Sequence, residues 1–299
     1  MFMHYIGIDI GGTTTKAGLV DRTGRILESR RTPTIVDSLD GFLSKLTNLI
    51  RDFQKSTAVE AVGIGVPGLR SSKTHVIVTS PNIPCLTNVN LEEPVANQVH
   101  LPVISENDAN AGAYAEFVCG AGAGTRHMIY LTLGTGLGSG LVLNGSLFTG
   151  ASGYGGELGH TVIDPDGRPC RCGNRGCLEM YASAAGIVHT AEEKGMKGPL
   201  TADMVYEAAV LGDAVAQEVF TETGRYLGIA CANLINFLNP EMIVIGGGVM
   251  ASGDLLLETA RSAARQHSFA APFHDCKIVQ SKLWPEAGVI GAAMLARDR

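Results

Sequence analysis

The sequence predicts an α/β protein of two related domains that face each other across a cleft, and three observations carry that reading. The chain has 299 residues, which at about 100–200 residues per domain fills two domains. Each half opens with a strand, a turn of glycine and threonine, and a returning strand. Each half then closes, after helical segments, on a strand that runs into glycine. Apolar residues make up 45% of the chain, so either half has enough to bury a core.

Taken in order, residues 4–10 read as a short buried strand that leads at once into Gly11-Gly12-Thr13-Thr14-Thr15-Lys16. Ala17 to Val20 returns as a second strand, Asp21-Arg22-Thr23-Gly24 makes the next hairpin turn, and Arg25 to Arg31 forms a third strand. Phe42, Leu46, Leu49, Ile50 and Phe53 fall on one side of a helix over 40–55. Ala61 to Val66 is a buried strand closed by Pro67-Gly68, and Leu101 to Ile104 is another, followed by a helix from Ala109 to Val118. In the second half Met128 to Leu133 is a strand, Gly134-Thr135-Gly136-Leu137-Gly138 a glycine turn, and Ser139 to Leu143 the return. Asn144-Gly145 marks a further hairpin. Residues 202–238 are rich in helix, Met242 to Ile245 is a strand that ends in Gly246-Gly247-Gly248, and Pro285 to Arg299 is a helix expected to pack back on the first domain. The expected domains are therefore 1–108 with the helix of about 285–299, and 109–284. Any α/β protein carries glycine at strand ends; two matched hairpins in the same order favour duplication.

The net charge of −6 and the lack of any long basic run exclude a nucleic-acid surface, which needs clustered Lys and Arg. No apolar stretch reaches the ~18–20 residues of a membrane span. Tyr5 to Ile8 runs straight into Asp9 with no basic region or cleavage-like site, so the cytoplasm is the expected location. Of seven cysteines, Cys85, Cys119, Cys231 and Cys276 are scattered and read as reduced thiols. Cys170, Cys172 and Cys177 are clustered, which in a cytosolic chain points to metal before disulfide.

The run from Asp9 to Lys16 has the means to hold a polyphosphate: bare backbone N–H groups, threonine hydroxyls, and Asp9 at the strand end for Mg²⁺. It is not a P-loop, since a strand follows, and an ordinary tight hairpin remains the alternative. The turn from Gly134 to Gly138 offers a second such cradle, and the two together can clamp a triphosphate. Gly246-Gly247-Gly248-Val249 suits either a flat base or ribose, or a close strand–helix packing turn. In Ser105-Glu106-Asn107-Asp108-Ala109-Asn110-Ala111, Asp108 reads as a catalytic base, or the run supplies helix caps from Ser105, Asn107 and Asp108. Cys170, Cys172, Cys177 and His160 complete a closed tetrahedral Cys₃His set, which calls for structural Zn²⁺ and differs in spacing from a zinc finger. Glu157 and His160 share a face if their stretch is helical, and Glu179 follows the last cysteine closely.

These segments together resemble the ROK family of sugar kinases and repressors, in order along essentially the whole chain: DIGGTTTK at 9–16, GVPG at 65–68, ENDAN at 106–110, LGTGLG at 133–138, GGELGH at 155–160, CRCGNRGCLEMYAS at 170–183 and IGGGV at 245–249. The glycine turns are common to the wider hexokinase–actin–Hsp70 superfamily, whereas the cysteine motif with the preceding GELGH is close to diagnostic. The resemblance implies two ribonuclease-H-like, actin-like ATPase domains with an active-site cleft between them, ATP with Mg²⁺, structural zinc, and a homodimer. It implies Asp108 as general base, and Gly68, Asn82, Asn107, Asp108, Glu157, His160 and Glu179 around the sugar, with His160 also a zinc ligand. For ATP and Mg²⁺ it implies Asp9, Gly11, Gly12, Thr13, Thr14, Lys16, Thr132, Gly134, Thr135, Gly136, Gly138, Gly247 and Gly248. The expected reaction is transfer to the 6-hydroxyl of a hexose, glucose first, with N-acetylmannosamine, N-acetylglucosamine, fructose and allose as alternatives. A repressor is the less expected reading, because only eight residues precede Asp9, too few for a helix-turn-helix; a silent sugar-binding protein is the third.

Overall fold

The computed structural model describes residues 3–299. The first half runs β1 (His4–Ile10), β2 (Thr14–Asp21), β3 (Ile26–Pro33), α1 (Leu39–Gln54), β4 (Ala61–Val66), the small hairpin β5 (Leu69–Arg70) and β6 (Ile77–Thr79), α2 (Glu92–Val99) and β7 (Val103–Asn107). Its sheet has the order β3-β2-β1-β4-β7, with β1 antiparallel to β2 and parallel to β4. After α3 (Asp108–Val118) come β8 (Met128–Leu133), β9 (Leu137–Leu143), β10 (Ser146–Phe148), α4 (Ala184–Glu193), α5 (Ala202–Val210), α6 (Ala214–Leu238), β11 (Met242–Gly246), α7 (Asp254–His267), α8 (Ala270–Asp275), β12 (Lys277–Gln280) and α9 (Ala287–Asp298). The second sheet, β10-β9-β8-β11-β12, repeats the first strand for strand, with β8 antiparallel to β9 and parallel to β11.

The central strands are apolar nearly throughout because helices cover both of their faces. The edge strand β3 instead alternates half-buried and exposed residues. In α1, Phe42, Leu46, Ile50 and Phe53 are buried and Leu49 sits at the margin, while the Ser38 hydroxyl accepts from the Gly41 N–H and starts the helix. One core lies in each half, under β8 and β11 and under β1 and β4.

The halves meet through two helices of small residues. α9 lies directly on the first sheet: a Cβ on Gly63 would stand 1.8 Å from the Ala292 carbonyl oxygen. α3 presses on α9 with Ala111 and on β9 with Ala113, both fully buried. The chain crosses between halves at Asn107–Asp108 and again between β12 and α9. The second crossing is tied to α3 by Glu116, whose fully buried carboxylate accepts from the Ser281 hydroxyl and from the Leu283 and Ala121 N–H groups.

Some boundaries differ from the sequence reading. β2 extends to Thr14 because it pairs with β1 and β3 at once. The strand before α3 starts at Val103 rather than Leu101. Residues 202–238 form two helices, broken where Gly212 takes a φ of 94° and Asp213 caps α6. No helix among the described residues is long and apolar enough to cross a membrane.

Candidate active site and metal centre

The first hairpin is braced from behind. The Gly11 N–H donates to the Thr14 carbonyl at 3.0 Å, and the Thr34 hydroxyl donates to the Gly11 carbonyl at 2.8 Å. Gly12, Thr13 and Thr14 are left exposed at the tip, and Asn82 packs against Gly12. Lys16 stands opposite Asp9 in the β1–β2 register and donates to the Pro285 carbonyl at 3.0 Å. Burial raises the Asp9 carboxyl above its ordinary range; the Lys16 charge opposes this and the Glu286 charge adds to it.

The β7–α3 corner shows which residue of its motif caps the helix. Asn107 is the cap: its Oδ1 accepts from the Ala109 and Asn110 N–H groups at 2.9 and 3.1 Å. Its Nδ2 donates to the Gly68 carbonyl at 3.2 Å. Gly68 has a φ of 105° and lies so close to β6 that a Cβ would stand 2.0 Å from the Thr79 oxygen. Ser105 is no cap but a fully buried strand residue bonded to Glu92. Asp108, relieved of capping, opens α3 with its carboxylate accepting from the Ala109 N–H at 2.9 Å. Burial, then the charges of Asp9 and Glu157, push Asp108 up to about 7. Residues 9, 108 and 157, remote in sequence, therefore share one electrostatic neighbourhood.

On the other side, the second hairpin closes with the Gly134 N–H donating to the Gly136 carbonyl at 2.9 Å. Thr135 is exposed at its tip. Glu179 accepts from the Leu137 N–H at 3.1 Å and stands 3.9 Å from Cys170 Sγ, so it joins the hairpin to the cysteine cluster. Glu157 precedes a single 3-10 turn, Leu158–His160, so its i, i+3 relation to His160 spans a tight turn rather than an α-helical face. Burial raises the Glu157 carboxyl, which His160 draws down and Glu179 pushes up. The glycines differ in what they face. Gly138 packs against Ala109 and Thr132, and a Cβ on Gly247 would stand 2.3 Å from the Leu133 oxygen, so neither position has room for a side chain. Gly134 and Gly248 face open space.

His160, Cys170, Cys172 and Cys177 bring one ligand atom each within 4.8 Å of one another. Cys172 and Cys177 sulfurs are 3.6 Å apart, and Cys170 Sγ is 3.7 Å from His160 Nδ1. Ligands about 2.3 Å from a common tetrahedral centre stand about 3.8 Å apart, so the set fits Zn²⁺. Burial, then hydrogen bonding and charge from the other two thiols, push Cys177 up to about 12, a cost that a divalent cation reverses. Cys85, Cys119, Cys231 and Cys276 are free.

The sequence profile of the ROK family matches residues 5–299. This chain belongs to the ROK family. The ROK chain is 37% identical to a glucokinase of Halalkalibacterium halodurans, over 99% of this chain and 95% of that one. It is 34% identical to a xylose repressor of Caldicellulosiruptor bescii, over 98% of this chain and 78% of the repressor. A ROK family glucokinase from Streptomyces griseus, in complex with glucose and AMPPNP, superposes with a TM-score of 0.88 at 35% identity, covering 99% of this chain and 100% of that one. The ROK chain thus has the actin-like ATPase fold, its paired sheets being the two halves of that architecture.

Two features of the ROK chain escaped the sequence reading. A small cavity beside Gly248 is lined by Ile187, Ala202, Tyr206, Phe220, Val249 and Ser252. These come from four separate helical segments, and no local pattern links them. Arg70 and Glu92 meet behind the β7–α3 corner at 2.7 Å, although neither belongs to a motif.

Proposed function

We propose that this ROK chain is an ATP-dependent sugar kinase that phosphorylates the 6-hydroxyl of a hexose, glucose in the first place, with Asp108 as general base. The observation that carries the reading is the Asp108 carboxylate, half-buried at the start of α3 and raised to about 7 by loss of solvent and by the charges of Asp9 and Glu157. A base poised near neutral pH takes the proton from the sugar oxygen as that oxygen attacks the terminal phosphorus. Phosphoryl transfer otherwise depends on alignment and charge stabilisation, which the two hairpins are built to supply.

In this reading the sugar is held by Gly68, Asn82, Asn107, Glu157, His160 and Glu179. Asn107 has one Nδ2 hydrogen left for it after capping α3 and donating to Gly68. The triphosphate lies between Gly11, Gly12, Thr13, Thr14 and Lys16 on one side and Thr132, Gly134, Thr135, Gly136 and Gly138 on the other. The base and ribose lie against Gly247 and Gly248, with the cavity beyond Gly248 at hand. Asp9 would hold Mg²⁺, which when bound neutralises charge on the phosphates. His160, Cys170, Cys172 and Cys177 would hold a structural Zn²⁺ that fixes the His160 ring, leaving Nε2 for the sugar. Residues 1–108 with 285–299 close on 109–284 and exclude water. The protein is read as a cytoplasmic homodimer that binds no nucleic acid.

A sugar-responsive regulator without catalysis is the second reading, favoured by the likeness to a xylose repressor. The ionisable base at Asp108 argues for the kinase. Phosphorus NMR of the protein with MgATP and each of glucose, N-acetylmannosamine, N-acetylglucosamine, fructose and allose tests this. A phosphomonoester coupled to the C6 protons supports the kinase, and no sugar phosphate from any of the five supports the regulator.

A further inference from the structure

Behind the Asn107–Asp108 corner lies a polar cluster built on Arg70 and Glu92, which belong to no motif of the chain. Arg70 is only 3% exposed, and a guanidinium so buried must be paired. Its Nη2 donates to Glu92 Oε1 at 2.7 Å and its Nε to the Ser105 hydroxyl at 2.8 Å. The Ser105 hydroxyl in turn donates to the same Glu92 oxygen at 2.8 Å, and the Ser105 N–H donates to it at 2.7 Å. The other Glu92 oxygen faces His75 Nδ1. Both Glu92 oxygens and the Ser105 hydroxyl and N–H are engaged, and Arg70 donates from two of its nitrogens, so the group is rigid rather than a loose surface pairing.

Its place matters more than its strength. Ser105 lies three residues before Asp108 on β7, and Arg70 lies two residues after Gly68 on β5. Two bonds therefore close a ring: Arg70 to Ser105 on the inner side, and Asn107 Nδ2 to the Gly68 carbonyl on the cleft side. The Arg70 carbonyl also abuts Gly153 of the second half, where the Ser72 N–H donates to the Ser152 carbonyl at 3.0 Å. The segment that follows leads to Glu157.

We infer that Arg70, Glu92 and Ser105 are positioning residues for the reaction, holding Asp108 and the Gly68 strand end in register with each other and with the opposite wall of the cleft. This rests on the reading of Asp108 as general base. None of the cluster's hydrogen bonds runs to the second hairpin or to Gly248, so its loss acts on the sugar side and on the proton acceptor, not on nucleotide binding.

Glu92→Gln keeps the shape and removes the charge that orients Arg70. Since misplacement by about 1 Å can cost about 10²-fold in rate, kcat is expected to fall tenfold to about a hundredfold while KM for ATP stays within about twofold. Ser105→Ala, which leaves the ion pair whole, is expected to lose about twofold to tenfold, as for a neutral hydrogen bond. Rates are taken per folded protein, checked by circular dichroism. The decisive comparison is Glu92→Gln in the Asp108→Asn background, with residual turnover read by labelled phosphate transfer. If Glu92 acts through the base, the second substitution lowers that residue of activity by less than about threefold. Normal kcat in both folded single variants overturns the inference, and so does a Glu92→Gln loss that multiplies in full on Asp108→Asn. Normal turnover of Asp108→Asn alone would instead sink the base assignment, which keeps the two failures apart.

Discussion

Asp108 makes a prediction about stability as well as rate. Its carboxyl has an ordinary value of 3.8 and is pushed up to about 7 in the fold, first by burial and then by Asp9 and Glu157. Below pH 3.8 it is protonated both folded and unfolded and costs nothing. Above about 7 it is ionised in both, and the folded state bears the whole penalty of a desolvated charge beside those of Asp9 and Glu157. Stability is therefore lost as pH rises from about 4 to about 7. At about 1.4 kcal/mol per pH unit that gap amounts to about 4 kcal/mol at most. Asp108→Asn keeps the shape and the acceptor for the Ala109 N–H but never ionises. The variant should then be more stable than the parent at pH 8, by up to about 4 kcal/mol, with the difference shrinking towards zero near pH 4. At about 2 °C per kcal/mol for a chain of this size, the melting temperature should rise by up to roughly 8 °C at pH 8. Differential scanning fluorimetry of both proteins across pH 4.5–8.5 measures it. A melting difference that does not change with pH, or one that favours the parent at pH 8, would refute the placement of a strained carboxylate here.

As the proposed general base, the same group also sets the rate profile. An ionised base is needed, so kcat/KM for the sugar should fall as pH falls below about 7, to roughly a tenth at pH 6; a flat profile down to pH 5.5 contradicts this. Gly153→Ala puts a Cβ 2.4 Å from the Ser72 nitrogen at a φ of 92°. That is closer than a Cβ stands to backbone, so the contact must open; with about 1–2 kcal/mol for the left-handed φ besides, KM for the sugar should rise by at least about 5–30-fold, and an unchanged KM would show that this contact plays no part in the sugar site. Glu116→Ala strands the Ser281, Leu283 and Ala121 donors and should cost about 3 kcal/mol or more in urea unfolding; a loss under about 1 kcal/mol would contradict the clamp. Chelation, or Cys172→Ser, should weaken sugar binding in calorimetry and spare ATP; unchanged sugar affinity in demonstrably metal-free protein would remove zinc from the support of His160.

Local pattern made much of this molecule legible. The Asn144–Gly145 turn has both residues at positive φ, 55° and 77°, as that dipeptide requires. The cysteine cluster was visible because its members are close in sequence, and the structure brings them together with His160. The capping question at the β7–α3 corner was not decidable from residue types, since Ser105, Asn107 and Asp108 are all good caps; only Glu92, thirteen residues before Ser105, draws Ser105 out of the contest. Likewise, Gly247 and Gly248 look alike in sequence, yet one is bare for Leu133 and the other opens on space. The Arg70–Glu92 pair and the cavity beside Gly248 depend on tertiary proximity alone, and no periodicity announces either.

The most direct test is ADP release by the purified protein with MgATP, with and without each of the five sugars, run beside Asp108→Asn. Sugar-dependent release with glucose as the best acceptor, lowered about 10²–10⁴-fold in Asp108→Asn as for loss of a general base, is the expected result. No sugar-dependent release from folded protein, or undiminished release from the variant, would contradict the kinase with Asp108 at its centre.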